Sequence, residues 1–164
     1  MIRYVGKVLL MSFSVKLRTD EFKKGLPTVG PIWLEMDGYD FPTEGWIDFP
    51  VVILGWWLSN LKPMVTNQSA SCECPFMDGP LRFDVTVRKR EDWAITFIRD
   101  ELDGEKRLLE GAVDPQTLIS EVLSAANLAI EVCRQKEWMS DDLVTLEKEV
   151  REIEGLMRSF LRHG

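Results

Sequence analysis

The chain of 164 residues reads as an α+β protein: an antiparallel sheet of about five to six strands, a buried apolar helix, and a C-terminal helical hairpin. Three observations carry this class. Within residues 7–113, short runs alternate apolar and polar side chains, the two-residue period of half-buried strands. From Asp114 onward the period lengthens to that of amphipathic helices. Inside the first block, Phe49 to Leu58 bears no charge and no hydrogen-bonding side chain beyond the indoles of Trp56 and Trp57. Strands, a helix, more strands and two helices, in that order, belong to a layered α+β architecture.

Leu9, Met11, Phe13, Val15 and Leu17 alternate with Ser12, Ser14 and Lys16, so one strand is expected over roughly 7–18. The basic residue and apolar run at the N-terminus resemble an export signal, but the alternation and the lack of a small-residue cleavage site favour a strand. Residues 18–30 read as a loop. Ile32, Leu34 and Met36 form a second strand, Asp37-Gly38 a tight hairpin turn, and Tyr39 to Phe41 the return, closed by Pro42.

The apolar segment then predicts a helix over about 49–61, with Asp48 as its cap and Pro50 in its first turn. Pro63 is expected to end it, because the residue before a proline leaves the helical region. This helix is too short to span a bilayer, which takes about 20 apolar residues. It also lacks the Lys-rich face of an interfacial helix. Burial at the centre of the fold is the expectation, with one Trp deep in the sheet–helix interface; the alternative is a part-exposed aromatic face that meets a partner.

Residues 72–77 read as a short strand and Asp78-Gly79-Pro80 as a turn. Leu81 to Arg88 gives the cleanest alternation in the chain, Trp93 to Arg99 is apolar on both faces and so central, and Lys106 to Val113 completes the sheet. Asp114 and Pro115 cap and open a helix with a wide stripe that includes Leu118, Val122, Ala126 and Cys133. After a short break at 138–140, Ser140 starts a second helix whose stripe runs from Leu143 and Leu146 through Val150, Ile153 and Met157 to Phe160 and Leu161. The two helices are expected to form an antiparallel hairpin packed on the rest. One domain is expected over 1–164, with 1–113 as sheet plus central helix and 114–164 as the hairpin.

The net charge is −7, which argues against nucleic acid as ligand, since phosphate binding needs a clustered basic face. Residues 1–30 hold six basic against two acidic residues, a local +4, and residues 31–81 hold one basic against seven acidic, a local −6. That acidic block is either a face for a basic partner or a source of solubility. The three cysteines, Cys72, Cys74 and Cys133, and the absence of an export signal point to a reduced, cytoplasmic protein.

No residue set specifies a reaction. The one histidine, His163, is penultimate and reads as a solvated terminal side chain. Cys72-x-Cys74 lacks the two-residue spacer of a zinc site; both thiols face one side of a strand, as small core or edge residues or as a redox pair. Gly25 and Gly30 precede a strand, so no phosphate loop is formed. The pairs Asp37/Asp40, Glu44/Asp48 and Asp141/Asp142 would need to face a common cleft to act as acid and base. A non-enzymatic protein without cofactor or metal is expected.

The Asp37-Gly38 hairpin ending in Phe41-Pro42, the Trp46-x-Asp48-Phe49 segment leading into an apolar helix, and Phe76-Met77-Asp78-Gly79-Pro80 before a clean strand resemble small bacterial immunity proteins of polymorphic toxin systems. The resemblance covers roughly 8–138, and the final helix stands as an addition. It implies a cytoplasmic protein that binds and occludes a toxin, here through an acidic surface facing a basic toxin domain. The residues expected to meet the partner are Asp37, Asp40, Glu44, Trp46 and Asp78. The alternative expectation is a structural or regulatory subunit that forms a homodimer through its C-terminal helices.

Overall fold

The computed structural model describes residues 3–5 and 8–162, with the side chains of 8–159. The reading of His163, and of Phe160 and Leu161 within the last apolar stripe, falls outside those side chains. The chain is α+β, as its periodicities require, but its strands form two sheets rather than one.

The larger sheet has six strands: β1 (Arg3–Val5), β2 (Val8–Leu10), β7 (Ser71–Pro75), β8 (Leu81–Lys89), β9 (Asp92–Glu101) and β10 (Gly104–Val113). Their spatial order is β1-β2-β10-β9-β8-β7, so β9 is interior; its residues Asp92 to Ile98 are all buried. Every pairing is antiparallel except β2 with β10, which is parallel and touches at Leu10 and Ala112. The smaller sheet holds β3 (Phe13–Leu17), β4 (Gly30–Met36), β5 (Tyr39–Phe41) and the two-residue β6 (Ile47–Asp48), which pairs with the start of β4.

The single strand expected over 7–18 therefore breaks at Met11–Ser12 and serves both sheets. Met11 N–H still bonds Ala112 in the larger sheet at 2.8 Å. Ser12 N–H bonds the Asp37 carboxylate at 2.7 Å, beside the smaller one. The Met11 side chain lies over Gly111, where a Cβ would come within 2.1 Å of its sulfur. Alternation fixes which face a side chain takes; it carries no signal for a change of partner strand. The Asp37-Gly38 turn forms as expected, with positive φ at both residues (48° and 81°).

Helix α1 (Pro50–Val65) runs past the expected end at residue 61 and contains Pro63 in its last turn. A proline so near the end removes one ladder bond, and the burial of Met64 and Val65 outweighs that loss. The carbonyl of Pro63, left open because the helix ends at Val65, accepts from Gln68 N–H at 2.8 Å and Ser69 N–H at 3.1 Å. Helix α2 (Pro115–Gln135) is capped by Asp114, whose side chain accepts from Gln116 N–H at 3.2 Å. Helix α3 (Asp141–Arg162) is capped by Ser140, which accepts from Leu143 N–H at 3.1 Å. Arg134 pairs with Glu147 and Asn127 with Glu154, so α2 and α3 run antiparallel.

One buried cluster joins both sheets and all three helices. Trp57 is at its centre, fully buried, with edge-on contacts to Phe76 at 5.2 Å and Phe83 at 5.0 Å. Its indole N–H donates to the Pro75 carbonyl at 2.7 Å, which ties α1 to β7. Phe41 stacks on Phe97 at 4.5 Å and joins the two sheets. No helix among the described residues is long and apolar enough to cross a membrane.

Candidate functional site

Asp48 organises the surface beside the start of α1. The sequence places it as the helix cap, but the capping position is Phe49 and no side chain caps that end. Because β6 ends at Asp48, its carboxylate turns inward and becomes 1 % exposed. Oδ1 accepts from Phe49 N–H at 2.8 Å and Met77 N–H at 3.3 Å. Oδ2 accepts from the Trp46 indole at 3.0 Å and Asp78 N–H at 3.1 Å. A buried carboxylate needs such a set of donors to compensate lost hydration. Asp48 thus pins the 76–79 turn against the approach to α1. Trp46 and Asp78, two of the residues expected to meet a partner, are brought together by it; the Trp46 ring passes within 4 Å of a Cβ built on Gly79. Around them Ile47 is 50 % and Met77 38 % exposed.

The other three expected residues are held differently. Glu44 accepts from Arg18 at 2.9 Å, and the Arg18 guanidinium lies 4.9 Å above the Trp33 ring. The Trp33 indole donates to Asp40 at 3.1 Å, so Glu44, Arg18, Trp33 and Asp40 form one connected strip beside Trp46. Asp37 stands apart at the hairpin tip, where its carboxylate takes the N–H and hydroxyl of Ser12. The acidic block is therefore partly structural: Asp37 and Asp40 fasten elements together, Glu44 is matched by Arg18, and Asp78 has an exposed side chain.

A second charged cluster has no counterpart in the sequence reading. Arg82 on β8, with an 11 % exposed side chain, lies among four carboxylates: Asp84 and Glu105 at 2.9 Å, Glu73 at 3.9 Å, and Asp100. The register explains it, since Asp84 faces Glu73 across β7–β8 and Asp100 faces Glu105 across β9–β10. The hydrogen bond to Asp100 is the foremost reason that the Arg82 pKa rises well above its ordinary value. The signal available in the sequence was the Arg82-x-Asp84 spacing on an outward strand face.

Cys72 and Cys74 do share one face of β7, with sulfurs 3.9 Å apart. Cys74 is fully buried, and burial pushes its thiol pKa well up, with Cys72 adding to the shift. Burial likewise raises Cys133 against a smaller opposing hydrogen bond with Thr28. Neither thiol is primed as a nucleophile. Among the described residues, no group of three or more His, Cys, Asp or Glu is arranged to hold a metal ion. A cavity of about 600 Å³ opens between the end of α1, the β8–β9 hairpin and α3, lined in part by Asn67, Val87, Trp93 and Leu156; none of the five expected residues reaches it.

No protein-family profile, curated protein or solved structure matches the chain.

Proposed function

We propose that this is a non-enzymatic binding protein of the toxin-immunity type, working in the cytoplasm, that occludes a basic protein partner through the surface around Trp46. The observation that carries the reading is an aromatic and apolar centre bordered by acids. The Trp46 indole and the backbone N–H groups of Met77 and Asp78 bond the buried Asp48, while the neighbouring Ile47, Met77, Asp78 and Glu44 are exposed. Interfaces concentrate binding energy in such aromatic centres, while charges around them set association rate and partner choice.

The internal bonds of Asp37 and Asp40 make them poor probes, because reversing their charge disturbs the fold as well as the surface. Asp78→Lys with Glu44→Lys is the cleaner variant, because both residues are exposed and the bond it breaks, Glu44 to Arg18, is a surface pair. Immobilised wild-type protein should retain a basic protein from the source-cell lysate, and that retention should fall in the double variant with near-ultraviolet circular dichroism unchanged. Equal retention by both would remove the acidic-face reading.

The second reading, assembly through the C-terminal helices, must use what the fold leaves exposed. The stripes of α2 and α3 are consumed in the core from Leu118 to Cys133 and from Leu143 to Met157. Leu128, Met139 and Val144 remain, between 50 % and 59 % exposed. Sedimentation of a strict monomer at low concentration would exclude this reading.

A further inference from the structure

Between α1 and α3 runs a groove of about 150 Å³, lined by Val52, Gly55 and Trp56 on one side and by Asp142 and Glu149 on the other. Gly55 forms its open floor. A Cβ built there meets no atom within 4 Å, so the chain's own packing does not call for glycine at this point of a helix. Trp56 is 40 % exposed while its neighbour Trp57 is fully buried. The opposing wall carries the carboxylates of Asp142 and Glu149. Facing it, Lys62 lies 2.6 Å from Glu149 Oε2 and is shared with Glu152, so Asp142, Glu149, Glu152 and Lys62 together hold a net −2.

The geometry points to a subsite for one arginine side chain of the basic partner. A guanidinium can lay its face on the Trp56 indole while its fork reaches Asp142 and the Oε1 of Glu149, whose Oε2 is taken by Lys62. A lysine ammonium has no flat face to stack. The volume suits a single side chain and falls below the roughly 300–1,000 Å³ of sites for whole small molecules. Gly55 lies five residues after Pro50, about 7.5 Å along α1, and Asp48 two residues before that helix start.

This inference rests on the reading of the protein as a binder of a basic partner, yet its test needs no partner. N-acetyl-arginine amide is titrated into ¹⁵N-labelled protein, with N-acetyl-citrulline amide as the neutral isostere. The Trp56 indole signal, assigned by its loss in Trp56→Phe, should shift saturably with the arginine amide and not with the citrulline. Gly55→Leu fills the groove and should weaken binding by about tenfold or more, with the remaining indole signals in place. Asp142→Asn, at an exposed position, should weaken it several-fold and decides the matter should Gly55→Leu fail to fold. An absent or unsaturable shift, equal response to both amides, or undiminished binding in the variants overturns the subsite. Failure here with acid-dependent partner capture intact removes the groove alone; loss of that dependence with the arginine amide still bound removes the Trp46 surface alone.

Discussion

At Trp57, burial and a hydrogen bond act on one side chain. Trp57→Ala should cost about 3–5 kcal/mol in urea unfolding, the range for deleting a large buried aromatic. Trp57→Phe keeps a ring but leaves the Pro75 carbonyl without its donor, and should cost about 1–3 kcal/mol. Asp48 is the polar counterpart. Asp48→Ala removes the acceptor for four N–H groups and should cost about 2–4 kcal/mol, with a change in Trp46 emission that a remote destabilisation would not give. Its role was out of reach of the sequence. Asp before Phe-Pro is a good cap, and only the pairing of Ile47–Asp48 with β4 turns it inward toward a turn about thirty residues away.

The strands and helices themselves were largely legible. Strands β8 and β9, helix α2 with its Asp114 cap, and helix α3 with its Ser140 cap follow from period, caps and turn residues close to their expected places. What did not follow was partnership. The break at Met11–Ser12, the parallel contact of β2 with β10 and the two-residue β6 depend on which strand lies alongside, and local pattern does not encode that. The Arg82 cluster has the same origin, since its four carboxylates come from four strands. Arg82→Leu leaves those acids facing one another and should cost about 2–3 kcal/mol at low salt, with part of the loss recovered as salt screens the repulsion. Denaturation midpoints at two ionic strengths measure both effects.

Across the whole molecule, stability should be greatest near neutral pH. The hydrogen bond from Lys62 lowers the Glu152 pKa, so that contribution is present above the ordinary carboxyl value and is lost as pH falls through the folded one. Burial pulls the Lys62 ammonium down, but its bonds to Glu149 and Glu152 prevail and its pKa is raised. The Lys62 contribution is complete below 10.5 and is lost as pH rises through the folded value. Buried Cys74 keeps its proton above the pH at which the unfolded thiol releases it, so stability should begin to fall from about pH 9.0. Thermal midpoints between neutral pH and 10.5 should drop less steeply in Cys74→Ala than in the parent.

At this same scale the net charge of −7 underlies the proposed function, because it gives the molecule a field that a basic partner would sense on approach. The most direct measurement is the association rate of the captured partner with wild type and with Asp78→Lys/Glu44→Lys, followed by surface plasmon resonance across ionic strength. The rate should fall steeply with salt in wild type, and be both slower and less salt-sensitive in the variant. Rates that coincide for the two proteins at every ionic strength would contradict it.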